Sequence, residues 1–598
     1  MGPFYYRYAT YAARAAVLRP GRRARIALLP LLLLWSAAVY AASAIEVDIE
    51  GLDDAMRDNV LLFLSIQQQK NLPDLSENRV RLLHALAPSE IRSALQPFGY
   101  YRPHIDNTLV YQHNHWIATY RIDLGEPVRI VDLDVHIDGE ASTDPEFRLL
   151  LADLPIKQGD ILDHARYEEA KRALQNLGAQ RGYFDAELQH SEVRVDLERN
   201  SASVSLHYAS GARYHFGAVS FPQTDALDLS LLQRYVPFKP GDPYDSDKIL
   251  KLQSALSDSE YFQQVDVEPR RDRAENLAVP VDIKLTLRDR DKYTLGVGYG
   301  TDTGARAKAA WERRIVNSGG RRFSTELNVS HINTSITSRY RIPIKNPLTD
   351  QIVITGGWTD DHPETSDSQT RLLGISHNQA RGDWRAAYSL NYRHERFATG
   401  VDSGKSTLFI PEINWQRIRA DNRINTTRGS RIQIDFRGAA VSLGSDVSFF
   451  QTRVNTKFIL PVSTAGRLLT RLDGGHTSVK DFENLPATLR FYAGGDQSVR
   501  GYAYNSLGPL DSLGKVAGGK YLLVGSIEYE HRLSEKWSAA TFYDVGNAYN
   551  TSSENFKRGA GVGLRWRSPI GPVRLDVAWP LSLEDRPWRF HLVVGPDL

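Results

Sequence analysis

The sequence predicts an exported chain of two unlike halves. Three α+β repeats of βααββ order precede an all-β antiparallel transmembrane barrel of about 16 strands. Three observations predict it. A leader-like apolar run opens the chain, and a phrase with a period of roughly eighty residues recurs before Arg290. Beyond that point strict apolar–polar alternation replaces helical periodicity.

Residues 1–44 read as a secretory signal peptide. Arg14, Arg19, Arg22, Arg23 and Arg25 form the positive region, "IALLPLLLLWSAAVY" the apolar one, and Ala42 and Ala44 the small-residue cleavage pattern before Ile45. Pro30 interrupts the run, which is shorter than the roughly 20 residues of a membrane helix. No later stretch is long and apolar enough to span as a helix. The chain has no cysteine, so no disulfide is expected despite export. Its 73 basic and 71 acidic residues argue against a nucleic-acid partner.

The repeats are expected at residues 45–125, 126–210 and 211–290. Each places a phrase after a helix: "FGYYRPHID", "RGYFDAELQ" and "SEYFQQVDV". Two copies also carry "KQGD" or "KPGD" upstream, at Lys157 and Lys239. A strand opens each unit, as in "VRIVDLDVHIDG", and two helices follow. In the helix "HARYEEAKRALQNLGAQRG" the expected buried face is Ala165, Ala170, Ala173, Leu174 and Leu177. Two alternating strands close the unit. Tyr100, Tyr183 and Tyr261 are expected to seal helix against sheet. Small sheets of this kind leave an edge that can accept another extended chain, which suggests three tandem binding modules.

The barrel is expected over residues 291–598. In "KYTLGVGYG", Tyr293, Leu295, Val297 and Tyr299 face one way, and Gly296, Gly298 and Gly300 the other. "ARAKAAWE", "RIQIDFR", "GVGLRWR" and "VRLDVAW" follow the same scheme. A soluble sandwich would hide the apolar rows and a membrane barrel turns them to lipid. Frankly charged opposite rows, aromatics near strand ends and the absence of covering helices favour the membrane. With an even strand count, that places the chain in the outer membrane of a Gram-negative bacterium with its repeats in the periplasm. No G-x-S-x-G elbow and no H-E-x-x-H pair occurs, so no catalytic residue, metal or cofactor is expected and the chain does not read as an enzyme.

Three phrases then carry a resemblance. "GGDQSVRGYAYNSLGP" holds Val499, Arg500, Gly501 and Tyr502; "FYDVGNAY" begins at Phe542; "GAGVGLRWRSPIGPVRLDVAWPL" spans Gly559 to Leu581. In this order they resemble the BamA-like superfamily of outer-membrane assembly and secretion barrels, whose periplasmic repeats are POTRA domains. Within it the chain is most similar to the TamA family, which has three such domains and a barrel of sixteen strands. The resemblance implies that the loop holding Arg500 folds into the lumen and meets an acidic partner. Asp544 fits, because Tyr543 and Val545 have lipid-facing parity and Asp544 the opposite; Phe542 and Gly546 share its face.

The resemblance further implies a role in inserting or translocating outer-membrane proteins such as autotransporters. It implies a TamB-like periplasm-spanning partner on the repeats and contact with outer-membrane lipid. Phospholipid traffic with the same partner and a dedicated secretion pore remain open alternatives. A closed barrel would pair Lys292–Gly300 with Arg589–Gly595. Glycine weakens the first strand, and Pro596 follows directly on the second. Tyr293, Leu295, Gly296, Val297 and Gly298, with His591, Leu592, Val593 and Gly595, are therefore expected to form a weak seam.

Overall fold

The computed structural model describes residues 45–594 apart from 73–74, 114, 223–224, 423–424, 569–570 and 586. The expected signal peptide, and Gly595 with the following proline, lie outside the described residues. By its contacts the chain divides into two compact units. One holds the residues up to Asp134 with Pro155–Ala170 and Glu192–Ser205; the other holds the rest, including the third repeat and the barrel.

Each repeat is a three-stranded sheet whose opening strand lies beside its closing one. In the first, Ile45–Glu50 pairs parallel with His115–Asp123, which pairs antiparallel with His104–Gln112. In the third, His215–Ser220, Ala278–Leu287 and Phe262–Pro269 repeat that pattern. The strand order leaves the His104–Gln112 type of strand at an edge in every copy. The first repeat departs from the expected two helices. It has three, Asp54–Phe63, Ser65–Gln69 and Glu77–Leu95, because Leu64 takes an extended conformation that breaks the first run.

The second repeat corrects the predicted helix face. Over His164–Arg181 the buried side chains are Tyr167, Ala170 and Leu174, while Ala165 is exposed. The bulky ring, not the first alanine, sets the phase of the stripe. Tyr183 and Tyr261 are buried, and Tyr100 is half-buried against the first core. Both "K-x-G-D" phrases form one turn, in which the aspartate accepts the lysine's backbone N–H at 3.0 Å.

The third repeat is fastened to the barrel rim. Tyr261 Oη donates to Gly320 O at 2.5 Å, and the Arg322 guanidinium lies 4.4 Å over the same ring. Ser318 donates to Asp228 at 3.1 Å, Arg234 reaches the carbonyls of Pro343 and Ile344, and Ile315 enters the repeat's apolar core.

The barrel is a 16-stranded antiparallel sheet with every strand beside its sequence neighbours, from Asp291–Gly300 to Arg589–Val594. No described helix is long and apolar enough to cross a membrane. Alternation sorts the side chains as a lipid-embedded barrel requires: Leu373, Leu390, Trp566 and Trp579 are exposed outward, and Glu395, Glu528, Asp544 and Arg565 are buried inside.

Candidate functional site: the lumenal loop and the barrel seam

The segment between strands Gly466–Val479 and Tyr521–Arg532 folds back into the lumen. It is tied along its length. Thr488 donates to Glu395 at 2.6 Å, and Gln451 donates to Leu489 O at 2.8 Å. Arg490, fully buried, spends its guanidinium on Asp402 and on the carbonyls of Glu483, Leu485 and Ala517, so the loop is pinned to itself as well as to the wall.

Arg500 lies at the innermost turn of this loop. Its Nε and Nη2 donate to the two oxygens of Asp544 at 2.8 and 3.0 Å, a bidentate fork. Nη1 donates to Glu528 at 2.6 Å and to Asp576 at 3.1 Å, and Nη2 also reaches Ser526 at 3.4 Å. All five guanidinium donors are therefore used. The guanidinium lies 3.4 Å from the centroid of the Phe542 ring. Glu528 and Asp576 are shared with Arg565, at 2.6 and 2.5 Å, and Glu530 joins Arg565 to Arg467. Arg471 stands 3.7 Å from Asp544, so four arginines face four carboxylates, all buried except Arg467 and Arg471, which stay partly open. Such a network is held by its completeness, because a buried charge with no partner costs several kcal/mol, roughly.

Room for this loop comes from glycine. Gly501 has φ +94°, and a Cβ there would meet Pro580 N at 2.9 Å. Gly559, Gly561 and Gly563 form an inward row on one strand. A Cβ on the first would strike the Arg500 carbonyl, on the second the Phe542 ring, and on the third the Arg565–Asp576 pair. Gly546 has no more space, with Val524 Cα 2.7 Å from a built Cβ. Val499 and Tyr502 are buried with Phe491, Leu507, Leu522 and Val524, and the Tyr502 hydroxyl donates to Arg558 O at 3.3 Å.

At the seam, the first and last strands form no ladder pair among the described residues. Among the described residues, their hydrogen bonds lie at one end. Leu592 N donates to Thr301 Oγ1 at 2.7 Å, Thr301 N to Leu592 O at 3.3 Å, and Arg306 to Val594 O at 3.4 Å. The outward row of the first strand is unusually bare: Tyr293, Leu295 and Val297 are 75%, 84% and 94% exposed, against 59% for Leu373 in mid-barrel. Gly296 and Gly298 face a lumenal cavity of about 1230 Å³, which Leu592 and Val593 also line. His591 is buried, with its ring pointing at the loop.

That ring completes a chain of contacts. Gly501 N donates to His591 Nε2 at 3.0 Å, His591 Nδ1 meets Asp496, and Asp496 N donates to Asp302 Oδ2 at 2.6 Å. A backbone N–H is always a donor, so Nε2 is the ring's acceptor and the proton sits on Nδ1. Asp302, Asp496 and His591 each bring one atom within 4.8 Å of the others, near enough for a shared cation. With both ring nitrogens engaged, however, they form a hydrogen-bond chain and not a ligand set.

Sequence reasoning placed Asp544 and the loop arginine together but missed Glu528, Asp576, Arg565, Arg490, Asp302 and Asp496. The first three were within reach, since inward parity in "SIEYEHR", "VRLDVAW" and "GVGLRWR" lies open in the sequence. The others sit in turns, where parity carries no information.

The Omp85 superfamily domain matches residues 279–597. A POTRA model described as TamA domain 1 matches residues 46–124, and the POTRA surface antigen variable number repeat matches 133–211 and 214–288. Among curated proteins, the outer membrane protein assembly factor BamA of Nitratidesulfovibrio vulgaris is 22% identical over 71% of this chain and 56% of its own length. The BamA of Neisseria meningitidis serogroup B is 22% identical over 80% of this chain and 68% of its own length. The chain thus spans little more than half of the first of these relatives. The crystal structure of Haemophilus ducreyi BamA lacking POTRA domains 1–3 superposes with a TM-score of 0.64 at 18% identity, covering 78% of this chain and 99% of that one.

Proposed function

The chain belongs to the Omp85 superfamily, and on that premise we propose that it is the TamA-type subunit of a translocation and assembly module. It is an outer-membrane β-barrel with periplasmic POTRA domains. In this reading it assists the insertion of other outer-membrane proteins, autotransporters in particular, without enzymatic chemistry. The observation that carries it is the seam: a bare first strand and, among the described residues, no ladder to the last strand and hydrogen bonds at one end. In lipid, unpaired backbone groups are strongly disfavoured, so a parted seam favours pairing with an incoming strand. The TamA-domain match over the first repeat supports a TamB-like partner there, docked along the open edge strand His104–Gln112.

The chain has no native thiol, so Thr301→Cys and Leu592→Cys, whose backbones meet across the seam at 3.3 Å, can be cross-linked without background. Oxidation is expected to leave a heat-resistant barrel that no longer inserts an autotransporter β-domain into proteoliposomes, and reduction to restore it. Full activity with the seam locked overturns the reading. Affinity capture from envelopes separates the neighbours. One very long periplasmic chain supports the TamA role, and several small lipoproteins point to a BamA-type complex.

A further inference from the structure

Asp302, Asp496 and His591 join three segments far apart in sequence: the turn between the first two barrel strands, the lumenal loop, and the last strand. We propose that they form an acid-fastened latch, closing the outer end of the seam when Asp302 carries a proton and loosening it when Asp302 is charged beside Asp496. The proposal rests on the seam reading above.

The geometry comes first. The first strand leaves the third repeat at Asp291, so its far end and the turn after it lie on the outer face of the barrel. Asp302, in that turn, accepts the Asp496 N–H at 2.6 Å. Asp496 in turn holds His591, and His591 accepts the Gly501 N–H at 3.0 Å, next to the anchored Arg500. One loop therefore grips both sides of the seam. The remaining oxygen of Asp302, Oδ1, is buried and has no hydrogen-bond partner, so the turn carries a carboxylate only half satisfied.

The charges come second. Facing Asp302 are Asp496 and Tyr504 from the loop, and His591 and Arg589 from the last strand. Asp302 and Asp496 thus bring two carboxylates within 4.8 Å of each other, with Arg589 among the groups that oppose their charge. A proton on the imidazole would put an N–H against the Gly501 N–H, so the ring cannot take it and keep the loop. A proton on Asp302 breaks none of these contacts and lets Oδ1 become a hydroxyl. Burial, and then the Asp496 charge, push the Asp302 carboxyl up to about 6. Its pKa in the closed latch lies above the ordinary carboxylate value, so closure is favoured at low pH. That contribution is complete below about pH 4 and is lost as pH rises through about 6. Between pH 7.5 and pH 5 the ratio of closed to open seam should rise about tenfold.

The test uses the full chain in lipid nanodiscs, with nitroxide labels on Tyr299→Cys and Leu592→Cys, and pulsed-EPR distances at pH 7.5 and pH 5. The short-distance population is expected to grow at pH 5 with a midpoint near 6. Asp302→Asn, which keeps an oxygen for the Asp496 N–H and cannot ionise, should show the short distance at both values. His591→Phe should lose it at both. Heat-resistant mobility checks that each variant is a folded barrel. A distance that ignores pH, or an Asp302→Asn variant that keeps the parent's pH response, overturns the latch. No client is present, so a seam that moves with pH in a chain that assembles nothing would sink the functional reading and leave the latch standing.

Discussion

The third repeat and the barrel lumen are built by opposite rules. In the repeat, Phe216, Leu231, Leu252 and Val279 are shut away from water, and Phe216 stacks on Phe238 with centroids 3.7 Å apart. In the lumen Arg500, Arg565, Asp544, Glu528 and Asp576 are buried beside only a small apolar cluster around Phe491 and Leu522, and leucines such as Leu373 and Leu390 face outward. A core of the first kind is tolerant: a smaller side chain leaves a cavity whose cost scales with its size. The second kind is brittle. Its parts hold one another by charge, and losing one strands the others in a place water does not reach.

Arg500→Ala should have the largest effect. It leaves Asp544 with only the more distant Arg471, takes one of two arginines from Glu528 and Asp576, and should lower barrel stability by about 3–5 kcal/mol. Loss of heat-resistant mobility at a lower temperature checks this. Lysine at the same position should not rescue it, because a point charge cannot make the fork to Asp544. A near-neutral Arg500→Ala would mean that the contrast with the repeat is false.

Phe216→Ala comes next and sharpens the contrast by locality. It should cost about 3–5 kcal/mol. The loss should appear as faster hydrogen exchange across residues 215–287, with the barrel's heat resistance kept. If the barrel weakens equally, the repeat and rim fold as one cooperative block.

Asp544→Ala should cost less than Arg500→Ala, since Glu528 and Asp576 still hold the guanidinium, and the double variant should be no worse than the arginine variant alone. Glu528 and Asp576, which hold Arg500 but not Asp544, thus make the two single losses unequal. Additive losses in a double-mutant cycle would mean that Arg500 and Asp544 act apart.

The smallest effect concerns Asp144, a buried carboxylate of the second repeat that receives Arg181 at 3.1 and 3.0 Å and the Tyr183 hydroxyl at 3.2 Å. Burial alone would raise its pKa. The Arg181 hydrogen bonds, the Glu146 N–H and the charges of Arg181 and Arg213 outweigh that and hold it below the usual carboxylate value. Its stabilisation is therefore present above about pH 4 and is lost as pH falls through the depressed value. Exchange protection of residues 135–154 should drop between pH 5 and pH 3 in the parent and stay flat in Asp144→Asn. A parallel drop in both would assign the acid sensitivity elsewhere.

Local pattern carried much of this into the sequence. A period of 2 set against 3.6 divides the barrel from the repeats, because a strand alternates its faces and a helix does not. Parity alone turned Asp544 inward, and Val499–Tyr502 marked the loop. Exact helix phase escaped, as Ala165 shows, since a large ring such as Tyr167 outweighs an alanine in deciding which face is buried.

By itself, then, the amino-acid sequence determined the order of the domains, the inward and outward rows of each strand, and the loop that bears Arg500. Each depends on residues near one another in the chain. Only the tertiary structure decided which charges meet. Arg500 and Asp576, hydrogen-bonded at 3.1 Å, stand 76 positions apart, and Asp302 and Asp496 stand 194 apart. No local periodicity reports a contact that exists only after sixteen strands have curved round to bring the first turn, the lumenal loop and the last strand to one place.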